Sequence, residues 1–331
     1  MMKKALLACA LMSVPTYCAA ADKPAQIDVA LGDVSLQKVP YLIAADAGIY
    51  EKNGLRVHQF ITPRAAEAAA EAHVIVPPEN IGTPDEKAPI MVGGGAALVA
   101  AVGAGRMKVS DVVIVATNEN IVRDHIITRG DIRTEQELKG KRLGSSYGNV
   151  TGYDGIAYLE RVGLSKEVMI VPPTNLDALR DGKADAVMAT LFQSAQAPDR
   201  GFFDLVDVGR YHIPEAGSGV WVDRAWLKDN PEIVQRFLRS MVEGIRRMKS
   251  DKALFTSTLK RWFNVADPKL VDRLFAMAQE FPEEPYPSAE GIAKAMRAFP
   301  AEGLNGLTAE SFYDNKPMQR LLGSHARPKE N

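Results

Sequence analysis

Ser145, Ser146, Asn149 and Thr151 crowd into a short run with Tyr147 and Val150, bounded and interrupted by Gly144, Gly148 and Gly152. The glycines let the backbone turn tightly, and the hydroxyl and amide groups stand where a helix begins. A helix N-terminus presents unpaired N–H groups and the positive end of its dipole, so this turn suits a polar or anionic small molecule. The same side chains can serve only as helix caps. Gly144-Ser-Ser-Tyr-Gly148 also satisfies G-x-S-x-G, the nucleophile elbow of α/β hydrolases. In that reading Ser146 attacks, Gly93–Gly95 supplies an oxyanion turn, and Asp204 or Asp207 with His212 or His325 completes a triad. Against it, Lys139, Lys141 and Arg142 crowd the short strand before the elbow, where a hydrolase needs a continuously apolar one.

The elements that must position this turn alternate. Ile27–Leu31, Leu55–Phe60, Ile90–Val92, Val112–Thr117, His125–Arg129, Val168–Val171, Ala186–Ala189 and Val220–Val222 read as strands, with helices between most of them. That alternation predicts an α/β architecture with largely parallel sheets and ligand sites at the carboxyl ends of strands. Gly93-Gly94-Gly95 follows one strand and precedes the helix Ala96–Ala101, a second turn of backbone donors. The last third is helical. Asn230-Pro231, Asp267-Pro268 and Ser288 mark three helix starts. Ala65–His73 reads as an exposed alanine-rich helix and Pro77–Pro89 as a loop.

Residues 1–21 read as a leader to be removed, with basic Lys3 and Lys4, the apolar run Ala5–Val14 and small Ala19-Ala20-Ala21 for cleavage. The mature protein is expected to be exported and soluble. Both cysteines, Cys9 and Cys18, fall in that leader, which excludes disulfides, thiolate metal sites and cysteine nucleophiles from the mature chain. Loss of the two lysines leaves 38 basic against 41 acidic residues, so nothing attracts nucleic acid or an anionic membrane. His58, His73, His125, His212 and His325 lack metal-ligand spacing, and no metal or other cofactor is expected. Trp221 and Tyr147 are of a type that stacks on ligands, although a Trp in an apolar strand is usually core.

Five ordered segments carry a family resemblance: Tyr41–Val57, Asp131–Leu143, Tyr158–Leu164, Ala178–Ala186 and Leu227–Phe237. With them the chain, from about Ile27 to Ala266, resembles the periplasmic substrate-binding proteins of ABC importers for sulfonates, taurine, nitrate and thiamine-precursor pyrimidines. The resemblance implies a type II binding-protein fold of two lobes that close on a ligand about a hinge. Lobe one would combine residues 22–120 with 216–331, and lobe two would hold 121–215. The ligand would lie between Ser35, Gln37, Tyr41, Gly94, Gly95, Ala96 and Asn118 of one lobe and Ser145, Ser146, Tyr147, Asn149, Val150, Thr151, Thr190, Phe192 and Gln193 of the other. Lys38, Arg64 and Arg123 are candidate counter-charges for an anion. The resemblance implies a monomer that hands a small molecule to a membrane permease driven by a cytoplasmic ATPase. Arg64–Pro89 departs from the family pattern, replacing a helix-Gly-x-x-Asp segment. Two enzyme types on similar folds, pyrimidine synthases and sulfinate desulfinases, depend on cysteines that the mature chain lacks.

Overall fold

The computed structural model describes residues 23–83, 88–172 and 175–323. The expected leader, both cysteines and His325 lie outside the described residues. Among these, ten strands build two five-stranded sheets. The first runs β2 (Leu55–Ile61), β1 (Ala25–Leu31), β3 (Ile90–Gly94), β10 (Ser218–Asp223) and β4 (Val112–Thr117). The second runs β7 (Met169–Val171), β6 (Arg142–Gly144), β8 (Ala186–Ala189), β5 (His125–Thr128) and β9 (Phe203–Asp207).

The expected α/β class holds, but the sheets are mixed rather than largely parallel. β10 is antiparallel to β3 and β4, and β5 is antiparallel to β8 and β9. Each is the strand that receives the chain after it crosses between sheets, so it enters from the opposite end. β9 is absent from the sequence reading because Phe203-Asp-Leu-Val-Asp207 is an edge strand whose aspartates face water. The alanine-rich helix Pro63–Glu71 is not merely exposed, since Ala65, Ala66 and Ala69 bury one face.

Two crossovers join the sheets, and they pair with each other. Asn118 N–H donates to Ser218 O, Gly217 to Glu119, Glu215 to Asn120 and Val122 to Ile213, all within 3.0 Å. Gly217 must be glycine, because a Cβ there would stand 2.5 Å from the Glu119 side chain. The result is an antiparallel ribbon between the two sheets.

The main core packs the helices Val39–Asp46 and Pro231–Ser250 against the first sheet. Phe237 is fully buried and stacks between Tyr41 and Tyr50, with centroids 6.0 and 5.8 Å away. Phe237→Ala should therefore lower the unfolding free energy by about 3–5 kcal/mol in denaturant titration, the cost of a large core cavity.

Candidate functional site

The polar groups that the fold withdraws from water gather around the crossovers. Lys38 is fully buried after the Asp33–Gln37 turn, its Nζ 2.6 Å from Asp33 Oδ2 and 2.9 Å from Ser218 Oγ. Gln37 donates to Glu119, and Asn118 donates to the Gln37 carbonyl at 2.6 Å. Glu119 also accepts from Ser218 N–H at 3.2 Å. Arg123 is buried on the first crossover, donating to the carbonyls of Ile121 and Glu280 at 3.3 and 3.4 Å.

Four carboxyl groups share this region. Glu119 and Asp124 sit on the first crossover, Glu215 on the second, and Asp154 on the helix Val150–Arg161. Each is at least 96 % buried. Desolvation pushes all four above the ordinary carboxylate range, and the charges they place on one another push Asp124, Asp154 and Glu215 further. Arg123 pulls Glu119 and Glu215 back only in part. The contact between these two carboxyls eases Asp124 down and pushes Asp154 further up. His125 is drawn down by burial, but the bond to Asp204 at 2.8 Å, with Asp207, outweighs this and raises it. Among the described residues no three His, Asp or Glu side chains are arranged to hold a metal ion.

The residues expected from sequence divide by what they do. Gln37 and Asn118 join the buried polar group, and Ser35 lies at its edge, donating to Asp33 at 2.6 Å. The two glycine turns do meet: a Cβ on Gly94 would come within 2.2 Å of Val150 Cγ2. Their backbone donors are partly spent, however. Gly95 and Ala96 donate to the carbonyls of Gly217 and Ala216 at 2.8 and 2.9 Å. Asn149 caps the Val150–Arg161 helix, its Oδ1 accepting from Gly152 N–H at 2.8 Å and from Thr151 Oγ1 at 3.0 Å. Ser145 donates to Thr151 O and Ser146 to Pro172 O, at 2.7 and 2.8 Å.

Thr190 and Gln193 form the capping box of the helix Leu191–Gln196, and Phe192 packs edge-on against Phe263. Tyr41 belongs to the core, with its hydroxyl on Met241 Sδ at 3.0 Å. Tyr147 is exposed but meets Phe299 edge-on at 4.8 Å. Trp221 is core, with Gly93 making room for its ring. Of the candidate counter-charges, Lys38 and Arg123 are buried here, whereas Arg64 lies exposed on the Pro63–Glu71 helix.

Sequence reasoning missed Glu119, Asp124, Asp154 and Glu215. A faint signal existed: Asp154 falls between Tyr153 and Ala157 on the buried face of its helix, where a carboxylate is costly.

A two-sheet α/β chain with paired crossovers and a polar interior defines a class of bilobal proteins. The model of the NMT1/THI5 like family matches residues 35–252, and this chain belongs to that family. No curated protein matches it significantly. Similar solved structures include the aliphatic sulphonate binding protein SsuA of Escherichia coli, with 18 % identity, 83 % of this chain and 91 % of that one covered, and a TM-score of 0.62. The alkanesulfonate-binding SsuA of Xanthomonas axonopodis pv. citri gives 17 %, 83 %, 91 % and 0.60. The desulfurization enzyme DSZB gives 16 %, 90 %, 99 % and 0.59. The periplasmic-binding-protein fold is thus shared with binding proteins and with an enzyme.

Because Asn149 satisfies a helix start, Asn149→Ala should cost about 0.5–2 kcal/mol of stability in denaturant melts, and Asn149→Ser should recover most of it.

Proposed function

We propose that this chain is an exported, soluble solute-binding protein that delivers a small polar or anionic organic molecule, such as a sulfonate, a carboxylate or a pyrimidine-like compound, to an ABC permease and its ATPase. The observation that carries this reading is the pair of crossovers lined with buried polar groups, in a chain of the NMT1/THI5 like family. Two joined lobes with such an interior are suited to closing on a ligand from both sides. The lobes would be residues 22–120 with 216–331, and 121–215. Lys38, Gln37 and Asn118 supply a cation and amides on one side, and Arg123 with the Ser145–Thr151 turn stands on the other. Structural neighbours named for sulfonate binding support an anionic ligand. Among the described residues no helix is long and apolar enough to cross a membrane, which agrees with a freely diffusing carrier.

The hydrolase reading loses its chemical basis. Ser146 Oγ is engaged with a backbone carbonyl, and Asp204 and Asp207, the acids that reading needs, face His125 of β5 and not His212. A serine-reactive fluorophosphonate should leave Ser146 unlabelled; labelling there, lost in Ser146→Ala, would sink the carrier reading.

A thermal-shift screen of sulfonates, nitrate, aromatic carboxylates and pyrimidines tests the carrier directly. A true ligand at a hundredfold excess over Kd adds about 2.7 kcal/mol of stability. It should also contract the protein in small-angle scattering. No stabilisation by any of these compounds, and no contraction, would count against the proposal.

A further inference from the structure

Glu119 is tied to the scaffold by Gln37 and Ser218 N–H, but the other three carboxyls around the crossovers keep buried oxygens that no hydrogen bond accounts for. Both oxygens of Glu215 lack a partner, as do Asp124 Oδ2 and Asp154 Oδ1, although Glu215 is fully buried and Asp154 is 1 % exposed. An ionised carboxylate in that position, stripped of water and unpaired, costs several kcal/mol. These groups lie on the two segments that join the sheets, and on the helix from the second sheet that packs beside them. Parting the two halves at that joint would rehydrate them.

The surrounding charges do not remove the problem. Lys38, on the turn before Val39, is held by Asp33 and Ser218. Arg123 acts on both Glu119 and Glu215, but it donates to the carbonyls of Ile121 and Glu280 and to neither carboxylate. His125, on β5, is engaged by Asp204 and Asp207 of β9. On the helix Ala289–Ala298, Glu290 and Arg297 act on neighbouring Tyr153 with opposite sign. Four carboxyls therefore face fewer cations than they have charges.

We propose that closure of the two lobes takes up protons at Glu119, Asp124, Asp154 and Glu215, so that acid medium favours the closed form. This rests on the carrier reading above, because it needs lobes that open. In the open form hydrated carboxylates titrate in their ordinary range. In the closed form they hold protons to higher pH. Between those limits, each proton taken up makes the closed-to-open ratio fall about tenfold per pH unit as pH rises. Protonation also changes what the interior offers. With the four groups neutral, Lys38 and Arg123 outweigh Asp33, and the closed interior becomes net positive. An anionic ligand would thus enter together with protons.

The test is a distance measurement across the lobes. Cys9→Ser and Cys18→Ser leave no native thiol. Glu67→Cys and Lys183→Cys, both at exposed positions, then carry spin labels on the two halves. Between pH 5 and 8 the short-distance population should decline with a slope of at least one proton. The double variant Asp154→Asn with Glu215→Gln should flatten that slope, and Glu215→Gln alone should lower it. Two distances whose ratio ignores pH would overturn the proposal while leaving the hinge intact. So would a pH response unchanged in the variants. A single distance at every pH, with or without the sulfonates and carboxylates named above, would overturn both the proposal and the hinge.

Discussion

Removing a carboxylate from water costs several kcal/mol unless a partner or a proton compensates, and this chain does so four times at its joint. Glu119, Asp124 and Glu215 lie on the two crossovers, and Asp154 leans on them from the adjoining helix. The backbone there leaves little freedom. The crossovers pair strand to strand, Gly217 gives way to the Glu119 side chain, and the backbone of Glu215 lies so close to Gly291 that a Cβ there would stand 2.1 Å away. The joint is therefore built tightly around groups that would rather be hydrated. If this joint is a hinge, as proposed, it would couple shape to the charge state of its interior.

The two glycine turns show a related economy of donors. Gly94 and Val150 bring them face to face, yet Gly95 and Ala96 already donate to the second crossover, and Asn149 occupies Gly152 N–H. Helix starts that look available for an anion are thus partly consumed by bonds within their own half. Recognition would then fall more to side chains, notably Lys38, Gln37, Asn118 and Arg123, than to backbone nests.

The hydrophobic packing ties the halves together as well. Phe192, from the helix after β8, packs on Phe263 of the first core, and Tyr147 meets Phe299. The hydrogen bond between His73 and Asp177, at 2.8 Å, joins the turn after the alanine-rich helix to the helix Asp177–Arg180. Phe192, Phe263 and Phe299 are buried in these contacts, whereas Tyr147 is exposed. Members of this fold that bind solutes and one that performs chemistry share the scaffold, so function follows from the site and not from the fold.

Much of the fold was legible in the sequence, because strand–helix alternation and helix starts are local. Val112–Thr117 and Ala186–Ala189 emerge within their expected limits, and Asp267 and Ser288 cap helices as their types require. The ordered segments from Tyr41 to Phe237 likewise point to the family by residue pattern alone. Strand direction was not legible, since β5 and β10 turn antiparallel only because the chain crosses between sheets. The site was legible only in part. Gln37 and Asn118 fall in the polar interior, but Tyr41, Thr190, Phe192 and Gln193 serve packing or caps. Glu119, Asp124, Asp154 and Glu215 are ordinary acidic residues in a sequence that holds 41 of them. What singles these four out is loss of water and mutual proximity across nearly a hundred residues of chain, and those are properties of the tertiary structure alone.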